Sequence, residues 1–74
     1  MDAKEIKQKW ADDLKKAAEG IPNKDKLQVC INIDINPATF DRYTSGNYIE
    51  VRRLELADAL SKEIRKVREL SAAL

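Results

Sequence analysis

"INPATFDRYTSG", residues 35 to 46, holds a helix start, a helix body and a helix stop, and its reading decides the fold. Asn36 is a good N-cap, Pro37 stands at the first helical position where proline is preferred, Ile35 and Phe40 have staple spacing, and Gly46 can take the left-handed stop. These local rules agree on one short helix over 37–45. Phe40 and Tyr43, three apart, turn inward on it, which leaves Ala38, Thr39, Asp41, Arg42 and Ser45 facing outward in varying degree. A short helix with small and hydrogen-bonding residues outside can enter a major groove, where a bulky face could not.

The stretch just before it pulls the other way. In "KLQVCINIDIN", residues 26 to 36, Leu27, Val29, Ile31, Ile33 and Ile35 alternate with Gln28, Cys30, Asn32, Asp34 and Asn36, the period-two pattern of a half-buried strand. Read as a strand, it lets "TFDRYT" and "YIEVRR" form a hairpin around Ser45, Gly46 and Asn47, giving an α+β order of helix, three strands, helix. That order resembles the double-stranded RNA-binding domain and implies an RNA-binding module. The resemblance stops at element order, because "ELADALSK" is nearly neutral where that family has a lysine-rich helix start.

The flanks are helical. Asp2 and Glu5 have capping-box spacing, with Met1 and Ile6 placed for a staple, and Ile6, Trp10, Leu14, Ala17 and Ala18 recur at helical spacing up to Gly20. Trp10, on that apolar stripe, is read as core rather than as a stacking platform. Glu5 to Lys9 and Asp12 to Lys16 are favourably ordered i,i+4 pairs on the outside. At the other end, Leu60, Val67 and Leu74 repeat every seven residues, with Leu56 and Leu70 on the neighbouring row and Glu63 interrupting it. This stripe either folds back over Ile6 and Trp10 or, over residues 60–74, meets a second copy.

Composition bounds what such a chain can do. Its 74 residues suit a single domain with a small core, and 43% apolar and 36% charged residues with two glycines and two prolines describe a soluble helical domain. No tract spans a membrane and no basic-then-apolar leader opens the chain, so a cytoplasmic setting is expected. With no histidine and one cysteine, a zinc set of the Cys/His kind cannot be assembled, and Cys30 lacks an imidazole base and is read as packing. Asp12 and Asp13 are adjacent and diverge by about 100° on a helix, which rules out a shared acid/base task. They are read as solvated charge. Gly20 and Gly46 stand alone at helix ends and cradle no phosphate. No catalytic residue, metal, cofactor or small-molecule ligand is expected, and the net charge of +1 neither demands nor excludes a polyanionic partner.

"INPATFDRYTSG" resembles the turn and recognition helix of the helix-turn-helix family of Cro and phage repressors, in which an apolar residue, a polar cap, an inward aliphatic or aromatic residue and "R-Y-x-x-G" recur in this order. The resemblance covers roughly residues 24 to 64. It implies that Asn36 caps the recognition helix, that Phe40 and Tyr43 anchor it and that Gly46 ends it. Cys30 falls where the family has a small residue between the two helices, and Asp34 where it usually has a turn glycine. "VRRLELADALSKEI" is similar to the helix closing the core, with Leu54, Ala57 and Leu60 inward. The implied fold is an all-α helix-turn-helix bundle of about four helices with a long C-terminal helix. The implied partner is double-stranded DNA.

On that resemblance, Arg42 would bridge to guanine O6 and N7 or to a phosphate, and Thr39 would touch a thymine methyl or a phosphate. Ala38 and Ser45 complete the base-reading face. Asp41 repels phosphate, so it contacts cytosine N4, orients Arg42 through a salt bridge, or stays solvated. Lys26 at the start of the preceding helix, Asn36, and Asn47, Arg52 and Arg53 beyond Gly46 are phosphate candidates, although Arg52 and Arg53 also read as a solvated helix face. A homodimer through the C-terminal helix would supply the second half-site of a small transcriptional regulator. A helical protein-interaction adaptor without DNA affinity is the other reading that the near-neutral charge leaves open.

Overall fold

In the computed structural model, which describes residues 2–73, Asp2 starts the first helix as its spacing predicts. Its carboxylate accepts the Glu5 amide hydrogen at 2.9 Å, and helix α1 runs Ala3–Ala17. The proposed staple partner Met1 lies outside the described residues. The turn that follows α1 closes at Gly20, whose φ of +69° suits glycine, and Arg68 Nη1 donates to the carbonyls of Ala17 and Glu19 at 2.9 and 2.7 Å. Carbonyls at the end of a helix have no partner within it, so an arginine from the far end of the chain both satisfies them and pins that end down.

Helix α2, Asn23–Asn32, replaces the strand that the alternation suggested. Val29 and Cys30 are buried, while Ile31 is 74% and Leu27 41% exposed, so every second residue is not on one face. Period-two β-branched residues express a preference for a pleated, half-buried surface, and here that preference yields to packing against neighbouring helices. The hairpin expected around Ser45 to Asn47 is likewise absent. "TFDRY" lies within helix α3, Pro37–Tyr43, and "YIE" forms a 3-10 turn, Tyr48–Glu50. Among the described residues there is no strand, and the α+β alternative falls with it.

Helix α4, Leu54–Ala72, is the longest element and packs against both α1 and α2, while α3 packs on α2 and α1. Leu14, Val29, Phe40, Val51, Leu60 and Ile64 fill the centre of the core. The seven-residue stripe is therefore covered within the chain as far as Val67; Leu70 is 60% exposed, and Leu74 lies outside the described residues. Leu54, expected inward, is 37% exposed because it opens α4 before the helix has turned its apolar face to the core. Trp10 sits at the rim, half-buried against the core rather than within it.

Polar side chains also join the helices. Asp13 accepts Ser61 Oγ at 2.9 Å and Arg65 Nη2 at 2.6 Å, joining α1 to α4. Asn32 donates to Glu63 at 2.7 Å and so joins α2 to α4. Asp13 thus bridges α1 and α4 while its carboxylate stays partly solvated, and Asp12 is exposed as expected. The pairs Glu5–Lys9 and Asp12–Lys16 do not form among the described residues, and Asp12 instead accepts from Gln8 at 2.8 Å.

Candidate nucleic-acid interface

The two helices of the candidate motif are joined by a tight left-handed cap. Asp34 has φ +55°, the Ile35 amide donates to the Cys30 carbonyl at 3.0 Å, and the Asp34 amide donates to the Ile31 carbonyl at 3.3 Å. These are the two crossed bonds of a Schellman motif, with aspartate in the place that glycine usually takes. The chain then extends through Asn36, whose Oδ1 accepts the Thr39 amide at 2.8 Å and the Thr39 hydroxyl at 3.1 Å. Asn36 is therefore the cap of α3 that its position predicts. Cys30 is 4% exposed beside this turn, and burial pushes its thiol above the ordinary value, an effect that Lys26 opposes and Asp41 reinforces.

Phe40 and Tyr43 fix which side of α3 faces out, being 2% and 4% exposed. At about 100° per residue, Ala38 then lies at the middle of the outer face, with Asp41 on one flank and Arg42 on the other. All three are exposed. Helix α3 stops at Tyr43, two residues short of the expected end, so Ser45 lies beyond the helix. The Ser45 hydroxyl donates to the Arg42 carbonyl at 2.8 Å and accepts the Asn47 amide at 3.3 Å. Its first task is to cap α3. Thr39 is half-buried, with its hydroxyl committed to Asn36, which leaves its methyl as the group a base could meet.

The flanking candidates divide. Lys26 is not at the start of α2 but one turn inside it, where Nζ stands 2.7 Å from Asp41 Oδ1 and 5.8 Å from the centroid of the Phe40 ring. Asp41 therefore pairs with Lys26 and not with Arg42, which removes one of its three expected roles. Arg42 and Arg52 are exposed and make no ion pair among the described residues, whereas Arg53 pairs loosely with Glu55 at 3.4 Å. Asn47 Oδ1 accepts the Ile49 amide at 3.0 Å and so caps the 3-10 turn. Of the four candidate cations, Arg42 and Arg52 are the two that no carboxylate engages among the described residues.

One element near the motif was not legible in the sequence. Helix α1 lays Lys15 along Gly46, so closely that a Cβ on that glycine would stand 2.8 Å from Lys15 Cδ, and Gln8 donates to the Gly46 carbonyl at 3.2 Å. Contacts between residues this far apart along the chain leave no local pattern to read. Beside them, a groove of about 490 Å³ is lined by Lys15, Lys16 and Lys26 but also by Asp12, Glu19 and Asp41. Its charges cancel, so it does not by itself attract phosphate. No helix among the described residues is long and apolar enough to cross a membrane. No family model, curated protein or solved structure matches the chain.

Proposed function

We propose that this protein is a small sequence-specific DNA-binding regulator, of the phage or mobile-element kind, that sets α3 in the major groove and binds as a homodimer. The observation that supports this best is the combination at residues 30–46: a four-residue turn closed by the Schellman bonds, then a seven-residue helix held by two buried aromatics. Two helices joined by so short a turn, the second projecting small and polar residues, suit groove entry. Arg42 reads base edges, with the Thr39 methyl beside it, while Arg52 and Arg53 hold phosphates. Titration of random duplex DNA at several salt concentrations tests this. Affinity that falls steeply with salt is expected, and no binding even at low salt would refute it.

A second reading has one observation in its favour. Asp41 projects from the docking face of a chain whose net charge is only +1, which suits a protein partner better than a polyanion. As an adaptor, the protein would show no salt-dependent duplex binding in that titration.

A further inference from the structure

A carboxylate on the outer face of a helix that enters DNA needs an account, because phosphates line both edges of the groove. The geometry at α3 supplies one. Asp41 leaves α3 on the flank toward α2, and Lys26 reaches it from that helix, with Nζ 2.7 Å from Oδ1. Lys26 is held: its side chain is only 21% exposed, and its ammonium lies over the Phe40 ring. Asp41 is presented: its side chain is 62% exposed, and Oδ2 has no partner among the described residues. The two residues stand on helices joined by the short turn at Asp34, and the pair draws the carboxylate toward the α2 flank of α3 with Oδ2 left outward. An exposed pair of this kind adds little to folding stability, so the pair is not explained as a fastening of the fold.

We propose that Lys26 and Asp41 read DNA as one unit: Lys26 cancels the charge of Asp41 and orients it, and Asp41 Oδ2 accepts the N4 amino hydrogen of a cytosine. A carboxylate is the acceptor that suits cytosine N4 in the major groove, whereas adenine N6 is better met by an amide that also donates to N7. With a cation at contact distance, the pair approaches the phosphates nearly neutral, and the repulsion that a bare carboxylate would feel is largely removed. Lys26 is thereby a positioning residue and not an independent phosphate contact. Arg42, on the opposite flank of the same face, reads guanine. The preferred site then places guanine and cytosine on the two sides of the groove floor. This assignment rests on the DNA-binding reading.

The test is selection from a random duplex pool by the parent, by Asp41→Asn and by Lys26→Met, which keeps the stem over Phe40 and loses the charge. Circular dichroism confirms that each variant is folded. The parent is expected to enrich a sequence with a cytosine position. Asp41→Asn should lose that preference by roughly tenfold or more, turning the position flat or toward adenine while the other positions persist. Lys26→Met should weaken the same position selectively, whereas loss of a phosphate contact would weaken all duplexes alike. A parent site without a cytosine position, or a cytosine position that survives either substitution, overturns the assignment and leaves DNA binding standing. A parent that enriches no sequence overturns sequence-specific binding and this assignment together.

Discussion

Tyr43 Oη accepts the Arg53 amide hydrogen at 3.0 Å, tying the last turn of α3 to the entry of α4 ten residues further along the chain. The tyrosine is 4% exposed, so one side chain both fills the core and fixes the backbone between the helix that would read DNA and the arginines that would hold phosphate. Position and spacing of Arg42, Arg52 and Arg53 therefore depend on a buried residue that would touch no ligand.

Tyr43→Phe keeps the ring and removes the acceptor. The half-buried bond should contribute about 1 kcal/mol, read as a modest fall in the denaturant midpoint. Because the segment 47–53 loses its tie, binding to all duplexes should weaken with sequence preference kept. Unchanged binding would mean that Arg52 and Arg53 need no such placement.

Phe40→Ala and Arg42→Ala separate support from reading. Phe40 is 2% exposed at the centre of the core, and its truncation should cost roughly 3–5 kcal/mol, a large part of the roughly 5–15 kcal/mol that holds a small domain folded. Arg42 is exposed and makes no ion pair among the described residues, so Arg42→Ala should melt like the parent. If Arg42 reads a base, the variant loses roughly 1–3 kcal/mol of discrimination against the wrong base. Thermal melts and duplex titrations on both variants check the pair.

The Asp34 position should be improvable. A non-glycine residue at φ +55° bears a cost of roughly 1–2 kcal/mol, relieved in glycine but partly offset by the greater freedom of glycine in the unfolded chain. Asp34→Gly should therefore raise stability by several tenths to about 1 kcal/mol, seen as a higher denaturant midpoint at unchanged slope. A lower midpoint would show that the aspartate side chain stabilises the turn by more than its backbone strain costs.

What the sequence made legible was local, and what it hid was long-range. Asp2, Asn36 and Pro37 act within four residues of themselves, and the structure has each where spacing places it, whereas Gly46 takes its positive φ only after α3 has already stopped at Tyr43. The helix α2 was ambiguous because Ile31 and Leu27 are apolar yet exposed, so hydrophobicity misreports which face is buried. At the candidate site, the outward set on α3 followed from Phe40 and Tyr43. The pairing of Asp41 with Lys26, the capping duty of Ser45 and the bridge from Asp13 to Ser61 and Arg65 did not, since each depends on the helix ends or on how the helices meet.

Cys30 gives the chain a pH dependence of known sign. Burial raises its thiol above the ordinary 9.0, so on going to alkaline pH the unfolded chain loses this proton before the folded one does. The contribution of the buried thiol to stability is then fully present below the unfolded value and falls as pH rises through it toward the folded value. Cys30→Ala should remove that part of the alkaline decline while leaving a small cavity. The native thiol should also react with alkylating agents far more slowly than the denatured one at pH 8, and equal rates would show that the site is open to solvent.

The oligomeric state can be tested on one residue. Helix α4 buries Leu60, Ile64 and Val67 within the chain, so cutting after Lys62 would remove core residues and unfold the protein rather than isolate a monomer. Leu70 is different: it is 60% exposed on α4, one turn beyond the last buried residue Val67. A second copy covering this side is the dimer we expect. Leu70→Glu should keep the melting behaviour of the isolated fold, because little apolar area is buried there, yet shift sedimentation from dimer to monomer. Duplex affinity should fall with it, since two linked half-sites bind far more tightly than one. A parent that sediments as a monomer at concentrations well above those used for binding would refute the dimer, and a single α3 would then have to supply the whole affinity.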